Sequence, residues 1–137
     1  MSIVVDASMA IAWLFADERT DAAHAVMLRV VSDGAVVPSL WRVEVANVLR
    51  NAVRRGRCDE AYVDRSLARL GRLPVETDDE TGVRAWTATL SLSRKHGLTL
   101  HDAAYLELAI RKAEPLATCD AELIAAAGRC ALEVLTA

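Results

Sequence analysis

Short apolar runs alternate along this chain with longer stretches of helical periodicity, and turn residues punctuate the changes. Ile3-Val4-Val5 predicts a buried strand over residues 2–5. Residues 8–15 are apolar at almost every position, which predicts a helix covered on most sides. A polar break at residues 17–21 leads into a helix from about 21 to 32. Asp33-Gly34 then turns the chain into a second strand, Ala35-Val36-Val37, stopped by Pro38. Ser39 is placed to cap a long helix to about residue 55, with Trp41, Val45, Val48, Leu49 and Ala52 on its apolar stripe and Gly56 closing it. Asp59 opens a further helix to about residue 70, and Pro74-Val75-Glu76 reads as a weaker third strand. Residues 80–96 read as one helix ended by Gly97. Thr99 caps the next, to about residue 112. Leu116-Ala117-Thr118 is a fourth strand, 121–127 a helix, and 132–135 a last strand.

Strands alternating with helices imply an α/β fold of three layers, α/β/α, with a small central parallel sheet flanked by helices. In such sheets the functional crevice opens beyond the carboxyl ends of the strands, where strand order reverses. That rule directs attention to four acids. Asp6 ends the first strand and Asp120 follows the fourth. Asp102 opens the apolar helix over residues 103–110, and Glu44 borders the buried stripe of its helix, three residues after Trp41.

Each acid has a plainer reading. Asp6 and Asp120 are placed as helix N-caps. Asp102 has capping-box spacing from Thr99, and Glu44 has arginines near it in sequence. Three independent caps have no reason to coincide with an interior glutamate at one edge of a sheet, so the joint pattern says more than any member. Converging carboxylates would take up protons unless a cation neutralised them. Mg²⁺ or Mn²⁺ suits such an all-oxygen set, and that chemistry points to phosphodiester hydrolysis.

Composition narrows the choice. The chain has 137 residues, enough for one domain with its own core, and 53% of them are hydrophobic but only 4% aromatic, which favours helices on a small sheet. Net charge is −3, from 16 basic and 19 acidic residues, so bulk electrostatic coating of nucleic acid is excluded while a local basic rim is not. Arg42, Arg50, Arg54, Arg55 and Arg57 form such a cluster, read either as a solvated face or as a grip on phosphates. Trp13, Trp41 and Trp86 sit at core spacing. Cys58, Cys119 and Cys130 lack metal-ligand spacing and read as reduced thiols of a cytoplasmic protein. No apolar run reaches bilayer length. His24, His96 and His101 form no pair with catalytic or ligand spacing, and neither a nucleophile elbow nor a glycine-rich phosphate loop is present.

Four blocks carry a resemblance: IVVDASMAIAWLFADE, VPSLWRVEVANVLRNAVRRGR, LTLHDAAYLELAIR and LATCDAEL. In that order, over nearly the whole chain, they resemble the signature segments of the PIN domain, and specifically of VapC-type toxins of toxin–antitoxin systems. The resemblance implies a single PIN domain over residues 1–137 and a Mg²⁺- or Mn²⁺-dependent ribonuclease in which a metal-activated water hydrolyses RNA. The family's acids fall on Asp6, Glu44, Asp102 and Asp120, as catalytic residues and metal ligands. Ser8 and Thr118 match supporting hydroxyl positions, Asn47 completes an E-x-x-N pattern, and Glu122 is a possible addition. The implied partners are RNA, a cognate VapB-like antitoxin lying in an apolar groove, and a second copy of the chain. The groove is expected around residues 12–15, Trp41 and Leu49. Two rival readings remain: a catalytically silent module binding RNA or a partner, and a structure-specific DNA nuclease of related fold.

Overall fold

The computed structural model describes residues 2–137. Five short strands, β1 (Ile3–Val5), β2 (Ala35–Val37), β3 (Val75–Thr77), β4 (Leu116–Ala117) and β5 (Val134–Leu135), form one sheet in the order β3-β2-β1-β4-β5. All neighbours are parallel, with Val4 beside both Val36 and Leu116 and Val5 beside Ala117. The chain builds outward from β1 through β2 to β3, then returns to the other side of β1 for β4 and β5. The order therefore reverses between β1 and β4, so the crevice expected for a parallel sheet lies at the ends of these two strands.

The central strands are continuous apolar runs because helices cover both faces: β1 and β2 are buried at every position. The edge strand β3 needs less covering, and its Glu76 and Thr77 are exposed. The covering helices are α1 (Ala7–Leu14), α2 (Asp21–Asp33), α3 (Trp41–Arg54), α4 (Glu60–Leu70), α5 (Thr81–Arg84), α6 (Leu90–His96), α7 (Leu100–Lys112) and α8 (Ala121–Arg129). Helix α7 is deeply set, with every residue from Ala103 to Ala109 buried. It therefore lacks the one-sided polarity of a surface helix.

Four sequence expectations change. Ser39 does not cap α3: Leu40 occupies the N-cap position without a side-chain hydrogen bond. The Ser39 backbone N–H instead donates to Thr81 Oγ1 at 3.0 Å. The single helix expected over residues 80–96 is interrupted, because a π-helical turn at Ala85–Thr89 separates α5 from α6. That turn carries Trp86 outward, leaving it 88% exposed, so Trp86 is not a core residue. Trp13 and Trp41 are buried as expected. The stripe of α3 is also narrower than its periodicity suggests, since Val48 is exposed while Val45 and Leu49 are buried.

Candidate active site

The β1–β4 pairing sets the geometry. Because Val5 and Ala117 lie side by side, Asp6 and Thr118 leave the sheet as neighbours. The Asp6 backbone N–H completes the ladder by donating to Ala117 O at 3.1 Å. The Asp6 carboxylate caps α1, accepting from the Met9 backbone N–H at 3.0 Å and from Ser8 Oγ at 2.7 Å on Oδ1. Its other oxygen accepts from Thr118 Oγ1 at 2.5 Å. Thr118 is fully buried and in turn accepts from the Asp120 backbone N–H at 3.0 Å. Ser8 Oγ accepts from the Cys119 backbone N–H at 2.9 Å. Two hydroxyls thus bind the loop after β4 to the acid after β1.

Asp120 caps α8 through Oδ1, which accepts from the Leu123 backbone N–H at 3.0 Å. For Asp6 and Asp120 the helix-capping reading is met. The cap is what aims the carboxylate across the end of the sheet, since an N-cap residue has extended backbone and turns its side chain over the first helical turn. Asp102 lies in the first turn of α7, where its backbone N–H donates to the N-cap Thr99 Oγ1 at 3.2 Å. Glu44, in the first turn of α3, has no arginine partner among the described residues. Its Oε1 accepts a hydrogen bond from the hydroxyl of Tyr105, a buried residue of α7, at 2.5 Å.

These acids share one electrostatic neighbourhood. Burial pushes the Asp6 carboxyl up to about 6, against the opposing pull of its three donors, and the Asp102 charge adds to the rise. Asp102 is also raised, first by burial and then by the charges of Asp120, Glu44 and, more weakly, Glu122. The Tyr105 hydroxyl is held protonated by burial and by Glu44, with smaller contributions from Asp6 and Asp102. Among the described residues no lysine or arginine forms an ion pair with any of the four acids. The donors are hard oxygens, mutually repelling and uncompensated, which is the chemistry of a divalent-cation site.

The supporting residues divide. Ser8 and Thr118 are in direct contact with Asp6. Asn47 stands exposed one turn beyond Glu44 and makes no side-chain hydrogen bond among the described residues. Glu122 is exposed and reaches the cluster only through its charge. The arginine cluster is mostly engaged elsewhere. Arg57 pairs with Asp17 and Glu18 at 2.8 Å and lies 3.8 Å over the Phe15 ring. Arg50 faces Glu60 at 3.7 Å, and Arg42 bonds Thr77. Arg54 and Arg55 are exposed without an ion pair among the described residues.

Sequence reasoning missed two features. Tyr105 stands three residues after Asp102, on the same face of α7, and a phenol in so apolar a helix needs a polar partner. A second acidic group lies outside the cleft. Among the described residues, Asp78, Asp79 and Glu80 are the three acids whose oxygens come within 4.8 Å of one another. Arginines already occupy that group. Arg111 donates to both Asp78 oxygens at 3.0 and 2.8 Å and approaches Glu80 at 3.3 Å, while Arg84 bonds Glu80 at 2.9 Å. The Arg111 guanidinium consequently holds Asp78 below its ordinary range. Buried Glu107 joins the network through Arg111 at 2.8 Å and Arg84 at 3.4 Å. This is a neutralised brace between α7 and the end of β3.

Comparison with known proteins identifies the family. Residues 3–129 match the PIN domain family. The chain is 32% identical over 125 residues to ribonuclease VapC3 of Pyrobaculum aerophilum, covering 90% of this chain and 92% of that one. The crystal structure of PAE2754 from Pyrobaculum aerophilum superimposes with a TM-score of 0.69 at 28% identity, over 92% of this chain and 86% of that chain. A structure of VapBC2 from Rickettsia felis, bound to a DNA fragment from their promoter, shares the fold with a TM-score of 0.66 at 14% identity, over 100% and 99% of the two chains. The reversal point between β1 and β4, the acids around it and these matches lead to one assignment: the chain belongs to the PIN domain family, among its VapC-type ribonucleases.

Proposed function

We propose that residues 1–137 form a single PIN domain acting as a Mg²⁺- or Mn²⁺-dependent endoribonuclease, the toxin of a type II toxin–antitoxin pair. The observation that carries this reading is the set Asp6, Glu44, Asp102 and Asp120 around the ends of β1 and β4, with Asp6 and Asp102 raised in pKa by burial and neighbouring charge, and none of the four in an ion pair among the described residues. These four side chains would hold the cation, directly or through water. When bound, the cation supplies Lewis acidity at the phosphoryl oxygens and makes a water nucleophilic at neutral pH. The protein contributes the arrangement. Ser8, Thr118 and the Met9 N–H fix Asp6, the cap to Leu123 fixes Asp120, and Tyr105 holds Glu44.

A route through the RNA 2′-hydroxyl needs a general base and acid, often histidines. His24 and His101 are exposed, and His96 is bonded to Arg129 and Cys130. The expected products therefore carry 5′-phosphate and 3′-hydroxyl ends. Incubating the chain with single-stranded RNA in Mg²⁺, Mn²⁺ or chelator tests the reading. Cleavage persisting in chelator, or ends bearing 2′,3′-cyclic phosphate, would overturn it. RNA binding without cleavage in either metal would favour the silent module, and preference for matched DNA the DNA nuclease.

For the partner we propose a VapB-like antitoxin, met in the cytoplasm. Two apolar hollows on either side of the α4 C-terminus support this. One, of about 250 Å³, lies among Trp13, Leu14, Met27, Val31, Leu70 and Leu73; the other, of about 330 Å³, includes Trp41, Val45, Leu67, Leu70 and Val75. Trp13 and Trp41 thus line the hollows, whereas Ala12, Phe15 and Leu49 are buried in the core. The chain is further proposed to form a homodimer, for which exposed Val43, Val83 and Trp86 offer apolar area. Co-expression with a candidate antitoxin and light scattering check both assemblies.

A further inference from the structure

The four acids are not held alike. Asp6 and Asp120 each cap a helix, so backbone N–H groups fix them. Asp102 stands beside the N-cap of α7 and its Thr99 hydroxyl. Glu44 has no such support, because it follows a helix start at which no side-chain cap forms, and its longer chain has one more torsion to fix. Its carboxylate is held from a different helix, by the hydroxyl of Tyr105. Tyr105 is 1% exposed, so its ring position is set by the core, and it lies one turn along α7 from Asp102. One rigid helix therefore delivers both an acid of the cleft and the donor that orients another acid.

The choice of a phenol matters. A lysine or arginine would neutralise Glu44 and compete with a cation, as Arg111 does at Asp78. A neutral hydroxyl donates one hydrogen bond to Oε1, leaving the negative charge and Oε2 available. We propose that Tyr105 is a positioning residue that fixes Glu44 for the divalent cation, setting the metal affinity of the site without itself contacting metal or RNA. This rests on the metal-site reading of the four acids given above. Partners behind metal-binding side chains typically govern affinity by about 10–100-fold.

The test is Mn²⁺ binding to the full chain at pH 7 by titration calorimetry, alongside RNA cleavage as a function of Mn²⁺. Tyr105→Phe keeps the buried ring and removes only the hydroxyl. It should weaken Mn²⁺ binding by about 10–100-fold and shift the Mn²⁺ dependence of cleavage to higher concentration, with most of the rate recovered at saturation. In a Glu44→Gln background the same change should have little further effect on Mn²⁺ binding. Binding within twofold of the parent, or an equal loss in both backgrounds, would overturn the role of Tyr105 while leaving the metal site intact. A parent chain that does not bind Mn²⁺ would remove the metal-site reading and this proposal together. Should Tyr105→Phe unfold, Glu44→Asp asks the question from the other side: the charge stays, the shorter side chain loses the phenol, and undiminished Mn²⁺ affinity would refute the proposal.

Discussion

Two groups of carboxylates in this molecule invert the usual intuition about metal sites. Asp78, Asp79 and Glu80 are the tighter group, yet arginines hold two of the three. Asp6, Glu44, Asp102 and Asp120 are spread more widely around the ends of β1 and β4, yet none has a cationic partner among the described residues. Arg111 pulls Asp78 below its ordinary range, while burial drives Asp6 up to about 6. Proximity of acids therefore identifies a cluster, while the lack of compensating charge is what supports the proposal that the wider set holds a cation. Mg²⁺ commonly keeps several waters and binds few carboxylates directly, so a wide set suits it.

The sharpest way to break the comparison is catalytic. Asp6→Asn and Asp102→Asn should each lower RNA cleavage by on the order of 10²–10³-fold, the scale of losing one preorganised electrostatic group. Both variants should remain folded by circular dichroism. Asparagine is as good an N-cap as aspartate, so unfolding of Asp6→Asn would reassign Asp6 as purely structural. Next comes the brace. Arg111→Met leaves Asp78 and Glu107, whose side chains are 3% and 6% exposed, without their main cation. It should cost about 3–5 kcal/mol in denaturant unfolding, and a cost near zero would mean the network is ornamental.

A third contrast lies in pH. Asp6 is raised in the fold, so its stabilising contribution is complete below about pH 4, its ordinary value, and is lost as pH rises through about 6. Asp78 is lowered, so its contribution is present above that ordinary value and is lost as pH falls through it and below. The metal-free protein should therefore lose stability between about pH 4 and 6 at Asp6, by up to roughly 3 kcal/mol. Asp6→Asn should flatten that slope, measured as the thermal midpoint against pH. Mn²⁺ at 100 times its Kd should restore about 2.7 kcal/mol to the parent at pH 7 and clearly less to Asp6→Asn. The smallest effect belongs to Asp79, exposed and without an ion pair among the described residues. Asp79→Asn should change stability by less than about 0.5 kcal/mol and leave cleavage unchanged.

What could be read from the sequence follows the range of the interactions. Asp6 and Asp120 were legible because an acid between an apolar strand and a helix has few places to go. Asp59 and Thr99 were legible as caps because their partners lie three residues away. The Tyr105–Glu44 bond joins residues 61 apart, and the Asp78–Arg111 pair residues 33 apart, so no local pattern announced them. Glu107 did leave a trace, since it stands four residues before Arg111, the spacing of a helical ion pair. The π-helical turn and outward Trp86 left none that periodicity could detect, because residues 80–96 read as one uninterrupted helix.

The hydrogen bond from Thr118 to Asp6 spans 112 residues. Asp6 is made 112 residues before Thr118. At about 5–20 residues per second, several seconds separate them during translation. Until β4 arrives, β1 is an unpaired edge on one side, and both Asp120 and the hydroxyl that fixes Asp6 are missing. A chain broken off before Thr118 carries three of the four acids and no finished cleft. The order of synthesis thus leaves the proposed site unfinished until Thr118 and Asp120 have been added.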